Sequence, residues 1–548
     1  MNKLIFNNKA LEHPVDKNLF VLKKVSGVYI PSSCYKAGTC KECVIKIEKG
    51  AENLNERTIN EKHLQPPFRL ACQTKIVKDN STVVCSTLKR DEIIIEENSY
   101  LVKENNKVYN INPSVIKTKN GDIFLDGKLI DNTINPVLGL AIDIGTTTVV
   151  IRLIEIEKGN IKKIISFENP QRFAGTNVMS RILFDTENRG KQLKRILISY
   201  ISDAIKTLTD NPENIYEVIV GGNTTMRDIF FGLNVKSIGQ SPYISLNEID
   251  YLNGKLDTTI LISTAEKMQL PIHPKAKIHS LPIIGNHIGS DVTAGLIATD
   301  FHLNKYNSIF IDIGTNTEII IGNSNRAYAA SSPSGPAFEG GGITFGMPAL
   351  RGAIETIKIE DDNVKYSVIG NKKPVGICGS GLIDVLGELK RTGRINSTGR
   401  FIDDTDSFYI DKRNDVFISE NDINQLAQAK GSNSGALRVL LNKLDVGFEN
   451  IDNIYIAGGF GKHIDLDMAK TIGLLPNIDN SKFKRIGNSC IEGLTIALLD
   501  KEKRSAITEY IRNIKTVNLE SEAEFFDYFV DGCLFIPMNE VHEEDDDF

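Results

Sequence analysis

Cys34, Cys40 and Cys43 fall within ten residues, in CYKAGTCKEC, and Cys72 follows in RLACQ. The spacing is C-x5-C-x2-C-x28-C. Four thiolates are the ligand set of a [2Fe-2S] cluster, two per iron. Gly38, between the small Ala37 and Thr39, allows the loop to wrap tightly, so that amide N–H groups can face the sulfurs. Structural zinc is the alternative, but zinc sites usually pair two short C-x2-C units, and a three-plus-one pattern does not. Cys85 stands in a valine strand and reads as a small buried hydrophobe, while Cys378, Cys490 and Cys533 are too scattered for a second cluster. A disulfide framework suits a short secreted chain, not one of 548 residues.

A second chemistry is written twice. LGLAIDIGTTTVV begins at residue 138 and SIFIDIGTNTEII at residue 308, which sets Asp143 and Asp312 at 169 residues' separation. Each copy is an apolar strand ending in Asp, then a glycine turn, then hydroxyl residues entering a second strand. Gly145, Thr146, Thr147 and Thr148 form one such loop, and Gly314, Thr315, Asn316 and Thr317 the other. Glycine lets backbone approach a phosphate, and N–H and hydroxyl groups donate to it. An aspartate beside phosphates suits Mg²⁺, directly or through its water shell. Repetition at domain scale indicates a duplicated fold. A third element, NIYIAGGFGKHID, offers Gly458, Gly459 and Gly461 to lie flat against an adenosine; a plain strand-to-helix turn is the alternative. Glu339, ahead of three glycines in GPAFEGGGI, is a candidate catalytic carboxylate, with packing as its alternative role. No G-x-x-x-x-G-K-[ST] occurs, so this is no P-loop.

The elements that position these groups are legible in outline. LIFNN, CVIKIEK, ACQTKIV and STVVCS read as strands and NLFVLKKV as a short helix, an order compatible with a β-grasp ferredoxin domain. Beyond them, NPQRFAGTNVMSRILF runs into an amphipathic pattern reaching about Leu208. VIVGGNTTMRDIFFG reads as strand, turn and helix, and GICGSGLIDVLGEL as a glycine turn opening an apolar helix. The expected organisation is a [2Fe-2S] ferredoxin-like domain over 1–88, a linker over 89–137, one lobe over 138–305, another over 306–537, and an acidic tail over 538–548 with the composition of a disordered segment.

The net charge is −6, from 64 Lys and Arg against 70 Asp and Glu. Residues 1–90 hold 16 basic and 8 acidic residues, a balance of +8, which leaves −14 for the rest. Nucleic acid is not the expected partner, because no aromatics interleave with the basic residues. A basic head is expected to rest on its own acidic body or to dock an acidic partner. No run approaches about 18 apolar residues, and the N-terminal MNKLIFNNKALEHPVDK has no apolar signal region; a cytoplasmic protein without membrane attachment is expected.

The x5 cysteine spacing resembles that of vertebrate and bacterial hydroxylase-type ferredoxins, and the two Asp loops with the glycine element resemble the acetate and sugar kinase, Hsc70 and actin superfamily. Taken in order, CYKAGTCKEC…RLACQ, AIDIGTTTV, NPQRFAGTNVMSRI, GGNTTM, FIDIGTNTEI, GPAFEGGGI, GICGSGLIDV and IAGGFG resemble the reductive activators of corrinoid proteins. The resemblance implies an α/β multidomain fold: an N-terminal β-grasp [2Fe-2S] ferredoxin domain followed by a duplicated two-lobed actin-like ATPase. It implies an ATP-hydrolysing iron-sulfur enzyme. Such an enzyme uses ATP, with Mg²⁺, and passes one electron to the Co(II) cobalamin of a partner corrinoid protein of a methyltransferase system. An upstream low-potential electron donor and a homodimer are further expectations. A hydroxyl of Ser331, Ser332 or Ser334 is a candidate to meet cobalt, with loop capping as its alternative.

The chain departs from the family pattern in its short 89–137 segment, in Asn177 where the family tends to carry Asp, and in lacking C-terminal cluster cysteines. Two other activities fit parts of the pattern: electron delivery to another low-potential acceptor enzyme, and a small-molecule kinase carrying a ferredoxin domain.

Overall fold

The computed structural model describes residues 2–20, 29–34, 36–88, 109–188, 190–285, 287–361, 363–403, 405–458 and 464–538. Among these, 2–88, 109–291 and 494–504 build one compact unit, and 292–493 with 505–538 a second. No described helix is long and apolar enough to cross a membrane. Most of the helix expected around Asn18–Val25, the segment 89–108, Gly459, Gly461 and the tail beyond Met538 lie outside the described residues.

The first unit opens with a five-stranded sheet in the order β2-β1-β5-β3-β4. Its strands are β1 (Asn2–Phe6), β2 (Lys9–His13), β3 (Val44–Lys49), β4 (Phe68–Leu70) and β5 (Thr82–Thr87). Strand β1 runs parallel to β5, and the other pairs are antiparallel. Alternating burial in β1 and β5 places Leu4, Phe6, Val83 and Cys85 in the core, as a period of two requires. The segment ACQTKIV is not a strand. It is a turn with isolated bridges at Lys75 and Ile76, because the chain must bend back after β4.

Residues 115–132, within the expected linker, form a three-stranded antiparallel sheet: β6 (Val115–Lys117), β7 (Asp122–Leu125) and β8 (Lys128–Asn132). It is fastened to the following lobe. The Tyr216 hydroxyl donates to Asp131 at 2.6 Å, and Lys277 pairs with Asp126 at 2.7 Å.

That lobe has a six-stranded sheet containing β9 (Leu138–Ile144), β10 (Thr148–Glu155), β11 (Asn160–Glu168) and β12 (Ile215–Gly221). Strands β9 and β10 are an antiparallel hairpin closed by the 145–147 loop, and β12 lies parallel to β9 with Gly221 opposite Asp143. The long amphipathic stretch before Leu208 is two helices, α1 (Val178–Glu187) and α2 (Gln192–Leu208), broken around Gly190. Residues 494–504 return to this unit: Thr495 accepts from buried Arg152 at 3.1 Å, and Arg504 pairs with buried Glu217 at 3.0 Å.

The ferredoxin-like head and this lobe share one apolar core. Phe68 packs edge-on to Phe173, and the Tyr29 hydroxyl lies 2.8 Å from that of Ser199. An ion pair joins them at 2.9 Å, between Glu42 of the head and Arg195 of α2. Its polarity is opposite to that of a basic head on an acidic body: the local pair, not the net charge, decides how the head sits.

The second unit repeats the hairpin. β13 (Ser308–Ile313) and β14 (Thr317–Gly322) are antiparallel, and the strand Asn453–Ala457 runs parallel to β13 with Ala457 opposite Asp312. These belong to a second six-stranded sheet, packed on the helices Gly379–Arg391 and Glu420–Leu444.

Candidate functional site

Strands β3 and β4 assemble the cysteines. They pair with Val44 opposite Leu70, so Cys43, one residue outside that pair, faces Ala71, whose N–H donates to the Cys43 carbonyl at 2.8 Å, and Cys72 follows Ala71 in the turn at the sheet end. The loop 34–42 arches over that end. At Gly38, with φ +82°, an added Cβ would stand 2.8 Å from both Asn60 Nδ2 and Gln73 Nε2, which explains glycine here.

Hydrogen bonds link Cys34 with Cys40 and Cys43 with Cys72, and the four thiols also interact across these couples, Cys40 with Cys43 and Cys34 with Cys72. Among the described residues, no three Cys, His, Asp or Glu side chains surround a single ion. Burial pushes the Cys34 thiol up, but donation from Cys40, Thr39 and the Gly38 N–H outweighs it and brings the group down to about 6. Cys72 is brought to about 7, chiefly by its hydrogen bond from Cys43, with the Gln73 amide also 3.5 Å from its sulfur. Cys43, the donor of that couple, is pushed up. Thiolate is the form that binds metal, so the loop favours it at two of four positions before any metal arrives.

A buried carboxylate supports this end of the head. Glu61 is fully buried, pairs with Arg69 at 2.8 Å and accepts from the N–H groups of Thr58 and Leu70, both at 2.9 Å. These donors hold its carboxyl below the usual range despite burial. The residue is absent from the candidate set above. Nothing in EKHLQPPFRLACQ marks it, except that it lies eight residues before the arginine that it holds.

In the first unit Asp143 is the last residue but one of β9, half-buried, and residues 145–147 turn beside it. Asn169 donates to the Gly145 carbonyl at 2.8 Å, its own N–H donates to the Thr147 carbonyl at 2.7 Å, and Arg181 donates to the Thr146 carbonyl at 2.6 Å. Asn223 reaches the Thr146 hydroxyl at 3.1 Å. The loop is thus anchored through its carbonyls, the arrangement that suits a loop presenting N–H groups and hydroxyls to an anion. Asn169, Arg181 and Asn223 lie inside the quoted segments NPQRFAGTNVMSRI and GGNTTM, but strand and turn patterns could not reveal that they converge. Asn177 caps α1, accepting from Ser180 N–H at 2.9 Å.

In the second unit Asp312 is the last residue but one of β13, and Thr315 donates to Glu339 at 2.5 Å, which places that carboxylate on the 314–317 loop rather than in remote packing. Gly458, φ +97°, packs so closely that an added Cβ would lie 2.4 Å from the Ile313 carbonyl and 3.1 Å from Asp312 Oδ1. The same closeness occurs in the first unit, where a Cβ at Gly222 would lie 2.7 Å from the Ile144 carbonyl. Gly221–Gly222 is therefore the counterpart of Ala457–Gly458, an extension of the repeat beyond the two Asp loops. Thr317 is fully buried, and its hydroxyl lies 3.0 Å from that of Ser334. Ser332 is likewise buried and bonded to Ser432 at 2.6 Å, a packing role.

Comparison with known proteins follows these features closely. Residues 7–77 match the family described as a 2Fe-2S iron-sulfur cluster binding domain, residues 138–304 the RACo middle region, and residues 306–544 the C-terminal domain of RACo, the ASKHA domain. The corrinoid activation enzyme RamQ of Eubacterium limosum is 31% identical over 430 residues, 73% of this chain and 70% of that protein. The Co(II) methylated amine-specific corrinoid protein reductase of Methanosarcina barkeri is 23% identical over 409 residues, 70% of this chain and 73% of its own length. A solved reductive activator for a corrinoid, iron-sulfur protein matches with a TM-score of 0.68 at 27% identity, covering 98% of this chain and 99% of its own. By sequence and by fold, the chain belongs to the family of reductive activators of corrinoid proteins.

Proposed function

We propose that the protein delivers one electron to the Co(II) cobalamin of a partner corrinoid protein, returning it to Co(I), in a cycle that consumes ATP. The observation that carries the reading is the pairing of Cys34 with Cys40 and of Cys43 with Cys72 at the end of a sheet seated on a phosphate-loop lobe. When bound, a [2Fe-2S] cluster supplies single electrons, and one electron is the difference between Co(II) and Co(I). Cys34, Cys40, Cys43 and Cys72 hold it, with Gly38 and Gln73 shaping the pocket. The electron comes from a low-potential donor.

Asp143 and Asp312 would hold Mg²⁺, directly or through its water shell, and orient the attacking water. Thr146, Thr147, Thr148, Thr315 and Asn316 receive phosphate oxygens, in loops whose turns Gly145 and Gly314 close by donating to the Thr148 and Asn316 carbonyls. Glu339 orients Thr315, and Gly458, Gly459 and Gly461 face the adenosine. The Co(II)/Co(I) couple lies very low, so transfer from a ferredoxin-level donor is uphill, and each factor of ten in the equilibrium requires about 1.4 kcal/mol of differential binding or ATP free energy.

An anaerobic absorbance spectrum with an iron count tests the head. Two irons per chain and visible bands that bleach with dithionite are expected. Cys72→Ser should lose both, whereas Cys85→Ala, at a buried thiol on β5, should keep both. A colourless zinc-containing protein would overturn the reading.

A further inference from the structure

The lobe reaches into the head at the cysteine loop itself. Arg195 of α2 donates through Nη2 to the Cys40 carbonyl at 2.7 Å and through Nε to Glu42 at 2.9 Å. One turn earlier, Gln192, 2% exposed, donates to the Lys41 carbonyl at 2.6 Å. Two residues of one helix thus grip three consecutive residues of the segment between Cys40 and Cys43. Glu42 is itself buried and held by the Ser33 hydroxyl at 2.7 Å, so the grip extends to the residue before Cys34.

The same helix is tied to the phosphate loop. Arg181, fully buried, donates to the Thr146 carbonyl at 2.6 Å, to the Gly175 carbonyl at 3.1 Å, and at 3.5 Å to the side-chain oxygen of Gln171. Gln171, also fully buried, donates to the Leu193 carbonyl in the first turn of α2 at 3.3 Å. The N–H of Gln171 donates to Asn169, whose amide holds the Gly145 carbonyl. An unbroken line of hydrogen bonds therefore runs from Thr146 through Arg181 and Gln171 to α2, and from α2 through Gln192 and Arg195 to Cys40–Glu42. A parallel apolar route exists: Phe173 follows Gln171 on the same short helix and packs on Phe68 of β4, two strand residues before the turn that carries Cys72. Gln171, Arg181, Gln192 and Glu42 are buried, with Arg195 partly exposed at the end of the line, and buried hydrogen-bonded groups do not shift independently, because each broken bond strands a partner away from water.

We propose that Arg195 and Gln192 are positioning residues for the cysteine loop, and that Gln171 and Arg181 couple them to the 145–147 loop, so that nucleotide occupancy and the reduction state of the head are thermodynamically linked. The inference rests on the function proposed above and adds the route by which one site informs the other. Linkage is reciprocal: whatever factor nucleotide applies to the one-electron equilibrium, reduction applies to nucleotide affinity. Arg195 also places a cation beside the loop, which favours the more negative, reduced state, so its removal lowers the potential.

The test uses the full chain with its iron restored. Reduction potential is measured with and without a non-hydrolysable ATP analogue, and analogue affinity is measured separately for the oxidised and reduced protein. The wild type should show a nucleotide-dependent potential and a matching ratio of affinities, a tenfold ratio corresponding to about 59 mV for one electron. Arg195→Gln should keep its iron count and bind the analogue, but lose most of that difference and lie at lower potential; Arg195→Lys should recover part of it. In the iron-free chain, amide exchange over residues 36–43 should slow when the analogue binds, and should not do so in Arg195→Gln. A wild type that binds the analogue with no change in potential or exchange would overturn the linkage and leave the proposed function standing, as would an Arg195→Gln variant with the full response. A chain that binds no nucleotide would overturn both.

Discussion

A cysteine presents its sulfur only as firmly as its backbone is held, and the turn after β4 is held by Glu61. Two backbone N–H groups and Arg69 converge on this one buried carboxylate. Removing its charge strands a buried guanidinium, a change that typically costs about 3–5 kcal/mol. Glu61→Gln should therefore lower the denaturant midpoint of the head and release iron faster on dilution; an unchanged midpoint and iron retention would show that the carboxylate is dispensable. The four cysteines were legible from spacing alone, because their chemistry depends on type and number. Glu61 was not, because an acid that caps two loops through space has no spacing signature. Arg195 and Asn169 were hidden for the same reason: their partners lie 155 and 24 residues away in the chain.

Among the elements, the duplicated strand–loop–strand unit was the clearest sequence signal and its outcome the closest to expectation. What remained hidden was the neighbour of each hairpin. Gly222 and Gly458 occupy matching places beside Asp143 and Asp312, one carbonyl past each aspartate, yet GGN and AGGFG look unrelated as text. The amphipathic run ending at Leu208 concealed a helix break for a related reason. Hydrophobic period continues through a break when both helices pack on the same core, so only the caps reveal it. If the two loops act as phosphate and Mg²⁺ sites, Asp143→Asn and Asp312→Asn should each lower ATP turnover, by on the order of 10²-fold for loss of a group acting on developing charge. Both variants should keep their iron count. Turnover within twofold of wild type in either would remove that aspartate from the hydrolytic machinery.

At the scale of the whole molecule, the head is seated on its neighbouring lobe through apolar packing that includes a half-buried histidine. His63 lies against Phe184 of α1. Burial, aided by the charge of Lys41, pushes it down to about 4. In an unfolded chain the same group titrates near 6.5. Between about pH 6.5 and pH 4 the unfolded state therefore binds more protons, and stability falls as pH falls through that window. In the iron-free protein, His63→Phe should flatten this part of the stability–pH curve; an equal slope in the variant would place the acid sensitivity elsewhere. The overall charge split, +8 against −14, had pointed to a head drawn to its body by bulk electrostatics, whereas the seat is made of Phe68, Phe173, Tyr29 and one ion pair of reversed polarity. The charge that remains on the head is available to steer an acidic partner. The most direct test of nucleotide-driven electron delivery is the appearance of Co(I) absorbance when the reduced, iron-loaded chain meets a Co(II) corrinoid protein of the matching methyltransferase system, with and without ATP and Mg²⁺. Co(I) should form only when ATP is present and the four cysteines are intact. Co(I) appearing at the same rate and to the same extent without ATP, or with the Cys72→Ser variant, would contradict it.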